Sequence, residues 1–515
     1  MSSRNITMTT LIKALHSQWL FFSFIFFLLI LSTVLLFRSR GRAKTPPGPP
    51  KLPIIGNLHQ LGKWPHYSFW EMSKNYGPVM QVRLGRTTAL VLSSPETSKE
   101  VMKDHDQDCC SRPPSVGPRR LSYNFLDVAF SPYADYWKEM RTLLVVELLS
   151  MKKASMFWYA RNEQMEELIA FLSTAYPNPV NLTRGVFEMT DGFIGTVAFG
   201  KNYGKLEFKT ELGEVISGAF EMLNSFNAED FFPIAGKFID RLTGVGAQRE
   251  RIFSTLDGYF ERIIDQHLDH RPRPEHEDIV DILLGLMRKQ QTSFQLSKDH
   301  LKALCLDIFL RAIATSVTTI TWAFSELLRN PRIMKKAQSE IRGKLGPNRQ
   351  RVEGTDLDSL KYLECVIKET FRKHPPLPLL LPHYCTKQCK IGGYDVFPGT
   401  QLLINAYAIG RDPKHWDNPE LFYPERFDNL ETDYKGSHCE LVPFGAGRRI
   451  CPGLAMGASG VKHALANLLY GFDYELPDGM KFEEFPMEDG GGLTVCNKHD
   501  IMVIPKKHEW TSTYV

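Results

Sequence analysis

The chain lacks an excess of charge of either sign. Its 62 basic and 58 acidic residues leave a net charge of +4 over 515 residues. That is too little to draw it onto nucleic acid, and no Arg-rich or glycine-rich binding motif accompanies it. A disulfide framework is lacking too. The nine cysteines are an odd number without regular spacing: Cys109 and Cys110 are adjacent, and Cys385 and Cys389 stand too far apart for a Cys-x-x-Cys metal or redox motif. Reduced thiols facing the cytosol fit that pattern. No Gly-x-Gly-x-x-Gly turn follows a strand, because Gly445 and Gly447 have no third glycine in register, so the chain does not itself hold a nicotinamide dinucleotide. Internal repeats and a second linker are missing, and residues 51–515 read as one domain despite their length.

What the chain has at its start is one long apolar run. Residues 19–37 carry no charge and are rich in Phe, Leu and Ile. At ~1.5 Å per residue this is about the length needed to cross ~30 Å of bilayer core, and it reads as a transmembrane anchor. A cleavable signal is the competing reading, but the run exceeds a usual signal core and lacks a small-x-small exit. Arg38, Arg40, Arg42 and Lys44 follow the run, whereas only Arg4 and Lys13 precede it. The positive-inside rule therefore places residues 1–18 in the lumen and the remainder in the cytosol. The expected location is the endoplasmic reticulum membrane, with Asn5-Ile6-Thr7 as a lumenal sequon. Residues 38–50 form a basic, proline-rich linker, stiffened by Thr45-Pro-Pro-Gly-Pro-Pro50.

Helical periodicity dominates the middle of the chain. A segment from about Asp299 to Arg329 has i/i+4 apolar spacing and ends at Asn330-Pro331, where proline forbids continuation. Strand-like stretches are few, for example 79–91 and 390–397. The expected fold is mainly α with small β-sheets.

Cys451 lies in Phe444-Gly-Ala-Gly-Arg-Arg-Ile-Cys451-Pro-Gly453. A lone thiol boxed in by glycines, preceded by two arginines and braced by a proline, suits a thiolate held under a haem iron. Axial ligation needs a deprotonated sulfur, which cations and N–H donors favour, and glycines let the backbone pass close to a flat macrocycle. The plain alternative is a structural cysteine beside a turn. Three further motifs carry a resemblance from Pro46 to the C-terminus: Trp137 and Arg141 at Trp-x-x-x-Arg spacing, Glu369 and Arg372 at Glu-x-x-Arg spacing, and Pro424-Glu-Arg-Phe427. With the Cys451 loop, they make the chain similar to the cytochromes P-450, in particular the plant microsomal clan that includes family 71.

The resemblance implies haem b with Cys451 as axial ligand. It also implies cofactor contacts from Trp137, Arg141, Arg449, Phe444, Gly445 and Gly453, and a buried ion triad of Glu369, Arg372 and Arg426. By themselves Glu369 and Arg372 would read as a surface helical pair. Electrons are expected from an NADPH–cytochrome P-450 reductase, with cytochrome b5 as a further partner, and Arg448 and Arg449 are placed to steer an acidic donor.

In the family the long helix carries Ala/Gly, Gly, any residue, Asp/Glu, Thr over the oxygen side of the haem. Here the matching positions are Arg311, Ala312, Ile313, Ala314 and Thr315. Thr315 is retained and the acid is not, and general acid catalysis is typically worth ~10²–10⁴ in rate. Arg311 lies one turn before Thr315, on the same face. Three readings of Arg311 stay open: an anchor for a substrate carboxylate, a cation partnered within the protein, and a donor replacing the missing acid. The loop 111–129 with Arg119, Arg120 and Phe125, the turn Leu379 to Leu381 including Leu380, and the late loop with Leu493 and Thr494 are expected to line an apolar substrate pocket.

The expected function is a membrane-bound haem-thiolate monooxygenase acting on a lipophilic plant specialised metabolite, a terpenoid, alkaloid or phenylpropanoid. The alternative is a reaction on the same scaffold that avoids normal oxygen scission: dehydration, isomerisation, or oxidative ring formation or desaturation. A non-enzymatic haem protein is the third reading.

Overall fold

The computed structural model describes residues 44–201, 227–269, 276–290 and 292–510, with isolated positions at 203, 215, 218, 219 and 222. The expected anchor at 19–37 lies outside the described residues. Packing groups Pro47–Gly392 with Val396–Val515 in one unit. A second, minor unit is described at 44–46 and 393–395, where the Lys44 amide donates to Asp395 Oδ2 at 3.0 Å.

Five helices frame the centre of the main unit. Helices α1 (Asp135–Leu143) and α2 (Leu182–Phe199) precede a long helix, α3 (Lys298–Arg329), and α4 (Lys361–Lys373) and α5 (Leu454–Gly471) come after it. Ser297 and His300 close a reciprocal cap at the N-terminus of α3, satisfying amides that lack intrahelical partners. At the other end Asn330 Nδ2 donates to the Glu326 carbonyl at 2.8 Å, one residue before Pro331. Among the described residues, this is the one helix long and apolar enough to cross a bilayer, yet 61% of its most apolar stretch is buried within the protein. Its apolar surface already has protein partners.

Those partners form two cores. The first half of α3 packs with α1, α2 and the helix Val245–Leu268 through Trp137, Val197, Phe260, Leu304 and Phe309. The second half packs with α4, α5 and the helix Pro331–Leu345 through Phe324, Leu327, Val366 and Leu465. Residues 301–310 and 318–328 are buried throughout, but from 311 to 317 only Ile313 is fully buried. A buried helix that loses its cover for two turns is passing an internal cavity.

The sheets are small. Strands β1 (Val79–Leu84), β2 (Thr87–Leu92), β3 (His383–Tyr384) and β4 (Gln401–Ile404) form one sheet in the order β1-β2-β4-β3. Pairing is antiparallel at Val82↔Ala89, parallel at Leu90↔Leu402 and antiparallel at His383↔Leu402. A second sheet joins Val180–Asn181, Met502–Lys507 and Phe472–Glu475. The expected strand at 390–397 is two three-residue strands, Cys389–Ile391 and Tyr394–Val396, the first beginning one residue earlier. Mainly helical architecture with small sheets is what the periodicity indicated.

Candidate active site

The cavity that uncovers α3 is bounded on one side by the Cys451 loop and on the other by Ile308, Arg311, Ala312, Thr315, Ser316 and Thr319. Cys451 sits just before α5. Its amide donates to the Phe444 carbonyl at 2.9 Å, closing the loop, and its sulfur accepts from the Gly453 amide. Gly447 adopts φ +65°, and a Cβ there would fall 1.9 Å from the Met102 carbonyl oxygen. Gly445, at φ +69°, faces the cavity with nothing within 4 Å of where its Cβ would stand. The loop therefore needs glycine for its turn and leaves a flat face beside the sulfur. Burial pushes the Cys451 thiol up, while the Gly453 amide, Arg141 and Arg311 pull it down. The cations acting on the sulfur are thus not the two arginines that precede it in sequence. Net elevation means that a bound metal, rather than the protein alone, would complete the deprotonation.

Cations with no carboxylate partner among the described residues gather at the cavity's other edge. Arg449 donates to the carbonyls of Cys110 (2.7 Å), Val128 (3.2 Å) and Ser131 (2.7 Å) and lies 4.1 Å over the Trp137 ring. Arg141, on α1, donates to the Ile450 carbonyl at 2.6 Å. Arg112 donates to the carbonyls of Ala129 (3.0 Å), Leu381 (2.8 Å) and Pro382 (2.8 Å). Burial, then Arg449 and Arg311, depress Arg112 well below an ordinary arginine. Buried positive charge held only by carbonyls is costly unless an anion arrives. One thiol on a glycine-lined face with three arginines around the cavity is the donor set for a haem: sulfur for the iron, guanidinia for two propionates. Trp137 itself does not line the cavity, since its indole N–H donates to the Val128 carbonyl at 2.9 Å.

The long helix places its polar groups differently from the family pattern. Thr315 Oγ1 donates to the Arg311 carbonyl at 2.7 Å, leaving its lone pairs toward the cavity, and Ser316 stands beside it. Ala314 is not among the residues that line the cavity. Arg311 Nε donates to Asp307 Oδ1 at 2.8 Å, Nη2 lies 3.6 Å from Asp127 Oδ2, and the guanidinium stacks 4.6 Å over Phe130. Asp307 is further held by the amides of Val128 (2.8 Å) and Ala129 (3.3 Å). Burial and the neighbouring Asp307 push Asp127 well up, so it is favoured as the neutral acid. Of the three readings of Arg311, the arrangement shows the cation partnered within the protein.

The remaining candidates separate cleanly. Leu380, Leu493 and Thr494 line the cavity with Phe444 and Gly453. Phe125 does not: its segment turns through positive φ at 123–125, with its amide bound to Ser122 Oγ, and the ring lies off the cavity. Arg119 and Arg120 are spent at the surface on Asn124 and Glu250. Leu379 packs against the sheet. Arg448 is half-exposed beside Asp106, whereas Arg449 is buried and contributes nothing to an exposed docking face. Glu369, Arg372 and Arg426 come together in full: Arg372 grips both Glu369 oxygens at 2.7 and 2.8 Å, and Arg426 Nε joins them at 3.0 Å. Their other donors end on the carbonyls of Gly410, Pro419, Leu421 and Asp417. Sequence reasoning missed Arg112, Asp127, Asp307 and His383. Three arginines share the loop 111–129, and only burial tells Arg112 from the other two.

Fold and site together define a haem-thiolate oxygenase: a helical body, one cavity-facing cysteine in a glycine loop, and a threonine on the helix opposite. The chain belongs to the cytochrome P-450 family, whose family model matches residues 46–503. It is 59% identical over 507 residues to a 2-methylbutanal oxime monooxygenase of Manihot esculenta, covering 97% of this chain and 99% of that one. It is 48% identical to a 4-hydroxyphenylacetaldehyde oxime monooxygenase of Sorghum bicolor over 94% of each chain, and 45% identical to cytochrome P-450 71B34 of Arabidopsis thaliana over 95% and 98%. A zebrafish cytochrome P-450 solved with progesterone matches the fold with TM-score 0.75 at 24% identity, over 86% of this chain and all of that one.

The protein is a monooxygenase of this family that acts on plant specialised metabolites, with haem as its cofactor. The haem supplies the oxidising chemistry when bound. Cys451 and the cavity arginines are the residues that would hold it, between apolar walls, with Thr315 and Ser316 on the facing side of α3. Enzymes of this family generally take their electrons from an NADPH–cytochrome P-450 reductase.

Proposed function

We propose that the substrate is a small, neutral aldehyde oxime with a hydrophobic side chain. The observation that carries this reading is the pairing of Arg311 with Asp307 beside Asp127, which leaves no uncompensated cation on the oxygen side to attract an acid. The walls there are apolar, formed by Ile194, Val197, Ile308, Ala312, Leu380 and Leu493, and suit an alkyl or aryl tail. Thr315, Ser316 and Thr319 offer hydroxyls to a C=N–OH head. Two relatives named for aldehyde oximes support the class. Cys451 is the iron ligand, and Arg112, Arg141 and Arg449 offset the propionates. The protein is anchored in the endoplasmic reticulum membrane by residues 19–37 with its catalytic part in the cytosol, where the reductase and cytochrome b5 reach the face carrying Arg448.

A second reaction is favoured by the Thr315 donor being spent on backbone. An aldehyde oxime can lose water, its C–H and N–OH bonds breaking to give a nitrile, without net oxidation or oxygen scission. The test is to supply the membrane enzyme and reductase with branched aliphatic and aromatic oximes, matched acids and ¹⁸O₂. Oxime-dependent spin-state shifts and ¹⁸O in the product support monooxygenation of oximes. Nitrile without label assigns dehydration, and shifts with the acids alone reject the oxime class.

A further inference from the structure

Away from the cavity, three cysteines far apart in sequence meet. Cys109 ends the short helix Asp106–Cys109, Cys385 follows β3, and Cys389 opens the strand Cys389–Ile391. The Cys109 and Cys389 sulfurs lie 3.7 Å apart across 280 residues, and those of Cys385 and Cys389 lie 3.9 Å apart. All three sulfurs fall within 4.8 Å of one another, and all three residues are buried. A turn through Lys387 folds the three-residue gap that disqualifies Cys385 and Cys389 as a linear motif.

The distances leave two uses for these thiols, S–H···S contact with one another or thiolates around one metal ion. A disulfide holds its sulfurs about 2.05 Å apart, so neither pair is bonded. A tetrahedral metal–thiolate centre with bonds of about 2.3 Å sets its sulfurs about 3.8 Å from one another, which is the spacing found on both measured edges. We propose that Cys109, Cys385 and Cys389 bind one borderline-soft divalent ion of the zinc class, as a structural centre separate from the haem iron. Binding converts three thiols to thiolates and releases three protons, giving a tris-thiolate of net charge −1. The Lys387 carbonyl, which accepts from the Cys385 thiol at 2.7 Å, lies too close to that sulfur for a tetrahedral edge, so a solvent molecule completes the fourth position.

The centre would staple the segment that carries the cavity's cations. The Cys109 carbonyl holds the His383 ring at 3.2 Å, the Cys110 carbonyl accepts from Arg449, and Arg112 follows two residues later. His383, Arg449 and Arg112 all line the cavity. Tying residue 109 to residues 385 and 389 therefore fixes the carbonyls against which those side chains are set.

The test is metal analysis of the purified holoenzyme, prepared without chelator, together with zinc K-edge absorption, which the haem iron does not obscure. The expected result is one zinc per chain beyond the haem iron, with about three sulfurs at about 2.3 Å. Cys389→Ser should lose the zinc, and Cys439→Ser, at a buried cysteine outside the cluster, should keep it. Should Cys389→Ser fail to fold, the wild-type edge spectrum decides alone. Less than about 0.1 zinc per chain, zinc bound only by nitrogen and oxygen, or zinc retained in Cys389→Ser would each overturn the proposal.

Discussion

Replacing Arg311 with alanine isolates the most unusual residue of the oxygen-side helix. The substitution removes the cation held 2.8 Å from Asp307 and 3.6 Å from Asp127, whose side chains are 7% and 1% exposed. Breaking a buried ion pair costs about 3–5 kcal/mol. Arg311 is itself 28% exposed to the cavity, and the Val128 and Ala129 amides still serve Asp307, so the cost falls below that range, to about 2–3 kcal/mol including the Phe130 contact. Combining Arg311→Ala with Asp307→Asn should recover part of that loss, with a coupling energy of about 1–2 kcal/mol. The assay is denaturant unfolding of the four proteins at equal haem occupancy, alongside optical titration with neutral oximes and the matched acids. Neutral ligands should still shift the spin state of Arg311→Ala. Strict additivity in the cycle, or acid-specific shifts that vanish in the variant, would refute the account and return Arg311 to substrate anchoring.

Cys451→Ala should abolish the thiolate-type spectrum of the reduced CO complex; its persistence would remove the iron-ligand assignment. Arg112→Leu takes away a buried cation facing the cavity, and haem loss measured by transfer to an apo-globin should accelerate about tenfold, whereas an unchanged rate would show that Arg112 offsets no cofactor charge. Ala314 lies off the cavity, so Ala314→Asp should leave the coupling of NADPH use to product within about twofold of the parent, and a larger rise would place that position at the oxygen site. Burial alone would raise Glu326, but His374 and then Lys373 hold it down at about 2. A folded pKa below the unfolded 4.5 gives stability that is complete above about pH 4.5 and is lost as pH falls toward about 2. Glu326→Gln should therefore flatten the acid limb of a stability–pH profile by up to about 3 kcal/mol, and an unchanged limb would dismiss the pairing.

The legible parts of this protein were those governed by neighbours along the chain. Pro331 ended α3 because a proline has no amide to continue the ladder, and the glycines and proline around Cys451 marked a tight turn holding one sulfur. The spacing of Glu369 and Arg372 put them on one helical face, although a surface pair and a buried triad look alike until Arg426 arrives from another segment.

Tertiary structure alone decided where the long side chains point. Asp307 and Arg311 are an i,i+4 pair within α3, but Asp127 joins them only because the loop 111–129 is laid against that helix; no local pattern states that packing. The same packing buries Arg112 while Arg119 and Arg120 reach the surface, turns Phe125 off the cavity, and brings Cys109 to Cys385 and Cys389 across 280 residues. Backbone preferences are set within a turn or two of helix. A buried charge or thiol instead takes its place from whichever distant groups can compensate it, and those are known only once the chain has closed.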